Sequence, residues 1–458
     1  MRGTSFGAAM LLALVSVVVP IATASAEPSA GSAHVDRAFG VDGTVALLDW
    51  TEVRDLVELP TGDLLVRVAR RGTSGAVVAE GIVKLHADGT LDRSFAATSA
   101  TPGELDLPLD AGVHMLVRAD GRIHLDGAVL QYTAAGLPDL TFGNNGRSQF
   151  STGGPDFELA DGFVLELNPE PVSLGGLSLQ VYSPTGVQDP TRLAFTRLDS
   201  NKVIALQRPD GSHLVVAYDS PLAPEPGHLL AIGTDGVLDT SFGGGDGIAA
   251  LQFAPDTAPG VLFEAALQAD GRVVMIFNQA GADPRLRVVR FNPDGSRDTS
   301  FGTDGSVVVS AAGGSVVPEP DGRVDLVLHY RFEAPPLDTA NPEKTFIVRM
   351  LADGTPDRLF NANGLVAGSV TLGELGVSDL SFNARALRLQ SGNLLVARTQ
   401  VLAGGASQAQ LVRIGFDAVP VQPPLPPPPA QPQPLAVTGP AQVRLVAPAR
   451  RLGIVADS

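Results

Sequence analysis

The sequence predicts an all-β protein, a single seven-bladed β-propeller of four-stranded blades, on three observations. An aspartate–phenylalanine motif recurs seven times, a turn glycine falls once inside every recurrence, and the array is complete only when its two ends are joined. The clearest copy of the motif reads Asp294-Gly295-Ser296-Arg297-Asp298-Thr299-Ser300-Phe301-Gly302, and a close second ends in Asp239-Thr240-Ser241-Phe242-Gly243. Others run from Asp88-Gly89 to Phe95, from Gly136 to Phe142-Gly143, and from Asp353-Gly354 to Phe360. The copy at Gly186 to Asp189 is degenerate, with Arg192 at the phenylalanine position, and the first, Asp36 to Phe39-Gly40, is a half.

The central aspartates are Asp36, Asp92, Asp139, Asp189, Asp239, Asp298 and Asp357, spaced 47 to 59 residues apart. That length suits one propeller blade better than the shorter repeat of an open β-solenoid. The second marker is independent: Gly62, Gly121, Gly162, Gly211, Gly271, Gly322 and Gly392 each sit between apolar runs. Glycine accepts the positive φ that tight hairpin turns require, so each marks two antiparallel strands.

In the fifth unit, strands are expected over 248–253, 262–267, 273–277 and 286–291, and no long helical periodicity competes with them. The last unit ends on the strand near Leu411 to Ile414, and the aspartate–phenylalanine half that should follow opens the mature chain at Asp36. Residues 36–48 are therefore expected to complete the seam, which removes exposed strand edges.

The pattern from Asp294-Gly295 through Asp298 to Phe301-Gly302, followed by a glycine-turned hairpin, resembles the delta-60 repeat found in tandem arrays in bacterial exported proteins. The resemblance covers about residues 36–418 and departs at Ala96 and Arg192, where the blade packing is least secured by the pattern. It implies a β-propeller and carries over no activity and no catalytic residues.

The domain ends follow from composition. Met1-Arg2, the apolar run Ala8 to Val19, Pro20 and Ala24-Ser25-Ala26 have the three-part layout of a secretory signal peptide over 1–26. The apolar run is too short to span a membrane, so cleavage before Glu27 and export, secreted or periplasmic, are expected. The propeller then occupies 27–418, with units starting near 36, 92, 139, 189, 239, 298 and 357. A proline-rich linker over 419–434 favours an extended spacer, and the tail over 435–458 is too short for its own core and is expected to be disordered.

With no cysteine there are no disulfides, so stability must come from the core. A net charge of −17 argues against nucleic acid and anionic membranes as partners, since both need clustered positive charge. The chain is expected to be a monomer.

The only repeated chemistry is acidic. Asp294 and Asp298, Asp235 and Asp239, and Asp353 and Asp357 stand four apart in glycine-rich loops, which permits calcium binding in principle. Turn capping by the aspartates, with phenylalanine plugging between blades, is the simpler account. On that account Asp298→Asn should have a small effect. The seven histidines lack zinc-ligand spacing, with His114 and His124 on neighbouring strands expected to be an ordinary solvated pair. No nucleophile elbow or phosphate loop is present.

No catalytic residue, cofactor or metal ligand is assigned. The expected function is that of an exported, non-catalytic binding or scaffold module for a protein, peptide or glycan. The alternative is a propeller lyase or hydrolase with acids converging on the central channel. Charged residues from several blades meeting there would discriminate the two.

Overall fold

A computed structural model of the 458-residue chain describes residues 32–109, 115–125, 130–147, 156–169, 177–192, 194–196, 202–219, 227–253, 260–279, 285–330, 344–362, 367–377, 381–402 and 405–417. The signal peptide, linker and tail regions lie outside these residues, as does His114. The described residues belong to one compact unit. They form seven antiparallel sheets, five of four strands, one of three, and one of five that contains both chain ends. This is a seven-bladed propeller. No helix among the described residues is long and apolar enough to cross a membrane.

Blades one to seven occupy residues 52–107, 115–147, 156–196, 202–250, 261–309, 313–371 and 381–416, each meandering from an inner to an outer strand. The seven turn glycines adopt φ between 76° and 86°, a left-handed conformation that side-chain-bearing residues rarely adopt. Middle strands are buried on both faces because blades stack face to face, so His213–Tyr218 reads as a largely apolar run and Leu64 to Ala69 is buried throughout, Arg67 included.

The core lies between blades. Leu262, Val273, Met275 and Phe291 of blade five, for example, pack against Leu214, Val216 and Leu229 of blade four. Between blades two and three, Arg118 crosses to Glu158, 3.1 Å away, and donates to the Gly162 carbonyl.

Blades and sequence units differ in phase by one strand. Ile248–Ala250, expected to open the fifth unit's own sheet, instead pairs with Gly227–Ile232 as the outer strand of blade four. The motif loop thus joins the third and fourth strands of each blade, and the same offset builds the seam. Ala33–Val35 pairs with Phe416 to Ile414, and Thr44–Leu47 pairs with Val412 to Ala409. Two N-terminal segments flanking the first motif thereby edge the last strand, Ser407–Phe416, and close the ring.

Among the described residues, four of the motifs hook onto the next. The N–H after the phenylalanine donates to a carbonyl of the following copy, as from Gly40 to Asp88, Gly143 to Thr185 and Gly302 to Asp353, at 2.6–2.7 Å. That residue needs a left-handed backbone: Gly40, Gly143, Gly243 and Gly302 supply it at φ 53–67°, and Ala96 takes it at φ 44°. Ala96 keeps the hook, donating to Ala135 at 2.8 Å, so blade packing survives this departure. Phe39, Phe95, Phe142 and Phe301 are fully buried beneath these hooks, and Phe360 is fully buried as well.

All seven repeat aspartates cap turns. One carboxylate oxygen of each accepts the backbone N–H two residues on, at 2.9–3.1 Å. In five of them the other oxygen meets a cationic side chain: Arg413 on Asp36, Lys84 on Asp92, Arg122 on Asp139, Arg290 and Arg272 on Asp298, and Arg323 on Asp357.

This pairing corrects the small effect expected of Asp298→Asn. Arg290 is itself buried and stacks 4.5 Å above the Phe301 ring, so an amide would weaken a charged bond as well as a cap. The substitution should cost about 1.5–3 kcal/mol, and Phe301→Ala about 3–5 kcal/mol, both read from urea midpoints. Saturating calcium should leave the melt unmoved, because an arginine already occupies the oxygen a cation would need.

Candidate functional site

The central channel is lined by the inner strands, and irregularities in three of them decide what faces it. The inner strand slips register between Val53 and Asp55 in blade one, between Leu262 and Glu264 in blade five, and between Phe382 and Arg385 in blade seven. A bulge inserts residues into one strand and re-aims the side chains beside it. The residue that follows lies seven before the turn glycine each time: Asp55 before Gly62, Glu264 before Gly271, Arg385 before Gly392. Ser315 holds that place before Gly322 in blade six, and Ile204 in blade four, with Lys202 two residues earlier on the same strand face. In the five blades where it is described, one repeat position thus recurs at the same level of the inner strand.

At this level an acceptor side chain reaches one blade ahead. Asp55 Oδ2 accepts the N–H of Met115 at 3.0 Å, and Ser315 Oγ accepts that of Ala386 at 3.2 Å. Glu264 accepts the N–H of Val316 and the hydroxyl of Ser315. Met115, Val316 and Ala386 all stand six before their own turn glycine, so these are equivalent inter-blade ties.

Arg385 breaks the series, because a guanidinium cannot accept. It is exposed and forms no hydrogen bond or close ion pair with another described residue, while its charge acts on both Glu264 and Lys202. Lys202 Nζ donates to the Phe263 carbonyl and sits 5.9 Å from the centre of that ring. Phe263, the bulged residue, is 40% exposed. Four consecutive blades therefore contribute Lys202, Glu264, Ser315 and Arg385 to one place.

Burial pushes the Glu264 carboxyl up to about 7, against the opposing pull of Ser315, Arg385, Val316 and Lys202. The group is embedded in protein yet keeps partial access to solvent. Burial also lowers the Lys202 ammonium, with Arg385 acting the same way and Glu264 opposing.

A raised carboxyl means that, between its ordinary value and about 7, the folded protein holds a proton the unfolded chain has lost. Stability from this group is thus fullest at low pH and falls as pH rises through that window. The wild type should lose up to about 3 kcal/mol relative to Glu264→Gln on going from pH 4.5 to 7.5, read from paired urea melts.

A second cluster, Asp63, His86 and Asp92, brings three potential metal ligands together, which sequence spacing did not show. The Lys84 ammonium is already there, 2.9 Å from Asp92 and 3.8 Å from Asp63. Burial alone would raise the Asp92 carboxyl, but the Ser94 hydroxyl and Lys84 hold it down at about 2. The ammonium already occupies the Asp92 oxygen that a metal would need. His124, expected to be solvated, is instead buried with its ring edge-on to Phe142 at 5.4 Å.

Among known proteins, a family model described as "Domain of unknown function (DUF5122) beta-propeller" matches residues 268–301. No curated protein matches the chain. Among solved structures the chain is similar to a protein of unknown function from Dyadobacter fermentans, at 12% identity over 82% of this chain and 100% of that one, with a TM-score of 0.41. It is also similar to the β-propeller domain of the Trilobed protease from Pyrococcus furiosus, at 7% identity over 77% and 78% of the two chains, TM-score 0.30. The polysaccharide lyase Uly1 matches at 7% identity over 82% and 92%, TM-score 0.31. Likenesses this distant carry no argument about activity.

Proposed function

We propose that this protein is an exported, non-catalytic binding module of the delta-60 repeat type, cleaved before Glu27, that engages a peptide, protein or glycan partner at the channel. The observation that carries the reading is the convergence of Lys202, Glu264, Ser315 and Arg385 from four consecutive blades. Propellers present ligands to such a layer because each blade delivers one side chain to the axis. Binding is favoured over turnover because one acid and two cations meet there, where the enzyme reading needs acids converging, and because Glu264 is held by Val316 and Ser315. A second reading, a lyase or hydrolase, draws on the Glu264 carboxyl standing at about 7, where general acid–base groups work best.

The two readings separate in one experiment. The mature protein is incubated with glycan and peptide panels, its melting followed and the recovered ligands analysed by mass spectrometry. A binding module raises the melt with its ligand, by about 2.7 kcal/mol at a hundred times the dissociation constant, and returns that ligand intact. Cleaved product that disappears in Glu264→Gln would contradict the binding reading and establish the enzyme.

A further inference from the structure

We propose that the channel cluster on blades four to seven is an oxyanion site, in which Arg385 and Lys202 grip a carboxylate or phosphate group and Glu264 takes up a proton as the ligand enters. The inference deepens the channel-binding reading and rests on it.

The cluster holds two cations and one acid in a chain of net charge −17. Arg385 disfavours the charge of Lys202, and Glu264 is committed to Val316 and Ser315. That leaves the Arg385 guanidinium exposed without a close partner among the described residues. Two like charges facing one carboxylate in a partly desolvated channel are relieved by a second anion, and a guanidinium fork matches a planar or tetrahedral oxyanion.

An ionised Glu264 would repel an entering anion at close range, whereas a protonated one donates its O–H to an oxyanion. Burial already brings that protonation within reach of neutral pH. The groups facing Glu264 are Lys202 from the inner strand of blade four, Ser315 from that of blade six and Arg385 from that of blade seven. His329 lies beside Gly313 and the Phe263 ring. Among these, Glu264 is the group whose titration is displaced to about 7, and the Glu264→Gln arm shows whether it carries the pH dependence.

The phosphate and carboxylate sources differ in geometry but share this chemistry, so both are used as probes. Isothermal titration of the mature protein with glucuronate, inorganic phosphate and uncharged glucose is carried out at about pH 5.5 and about pH 8.5 on the wild type, Arg385→Gln and Glu264→Gln. At least one oxyanion should bind, with affinity falling roughly thirtyfold at the higher pH as the protonated fraction of Glu264 drops. Arg385→Gln should lose about tenfold or more at the lower pH. Glu264→Gln should bind with little pH dependence, and circular dichroism should show both variants folded. Oxyanion binding indifferent to Arg385→Gln, or a pH dependence that persists in Glu264→Gln, overturns the proposal. If the oxyanions fail while glucose or another neutral ligand binds in the channel, the ligand class is wrong and the binding reading stands. If neither charged nor neutral ligands bind, both fall.

Discussion

A chain that begins at Trp50 should be less stable than one that retains residues 32–49 by more than about 5 kcal/mol and should associate through its exposed edge. The segment removed carries both outer pieces of the last blade, Ala33–Val35 and Thr44–Leu47. It also carries Phe39, fully buried with the Arg413 guanidinium 4.7 Å above its ring, and a buried phenylalanine alone is worth about 3–5 kcal/mol. Asp36 goes with it, leaving Arg413 and Asn393 without the carboxylate that holds them at 2.8 Å. The edge of Ser407–Phe416 then presents unpaired backbone groups. Urea unfolding measures the loss and light scattering the association. A monomer with an unchanged melt would mean that the blades are independent and the seam structurally idle.

The second large effect is expected at Asp325, which is fully buried where blades six and seven meet. Its carboxylate takes both Arg349 Nε and Nη2 at 2.8 Å, and Arg388 from the neighbouring blade at 2.8 Å. Glu319 completes the cluster on Arg388, and Phe416 lies between the two guanidiniums, 4.6 and 4.9 Å away. Burial lowers the Arg388 guanidinium to about 10, a measure of how little solvent reaches it. Asp325→Asn keeps the shape but removes the charge, so Arg349 loses its paired carboxylate and Arg388 keeps only the carboxylate of Glu319. Breaking a buried pair from one side typically costs about 3–5 kcal/mol, read here from urea midpoints. A loss under about 1 kcal/mol would mean that water reaches the cluster.

Much of this architecture was legible in the sequence because its determinants are local. A turn glycine at positive φ, an aspartate capping the N–H two residues on, and a phenylalanine three further along are all visible within one motif. The seam was legible too, since a half motif at Asp36 needs the strand near Leu411 to Ile414. What escaped was lateral. That Ile248–Ala250 belongs to blade four depends on which sheet recruits it, and a short apolar run carries no mark of that. The second oxygen of Asp298 meets Arg290 and Arg272 across strands, which changes the expected effect of Asp298→Asn. The channel layer was hidden because its residues are unlike one another: Asp55, Ile204, Glu264, Ser315 and Arg385 share only their distance from a turn glycine. A polar residue recurring seven before the turn glycine is the signal that could have found it.

The claim on which the functional account turns is that ligand is held in the channel at blades four to seven. The chain has no cysteine, so a single thiol introduced there reports access directly. Phe263 is the position to use, being 40% exposed beside Lys202, with Val41, 77% exposed in the first motif, as the control. The rate of maleimide modification is measured in Phe263→Cys and in Val41→Cys, with and without saturating ligand. Bound ligand should slow modification at 263 by about tenfold or more and leave 41 unchanged, as occlusion of one site requires. Ligand that binds while 263 reacts as fast as before would place the site elsewhere and contradict the account.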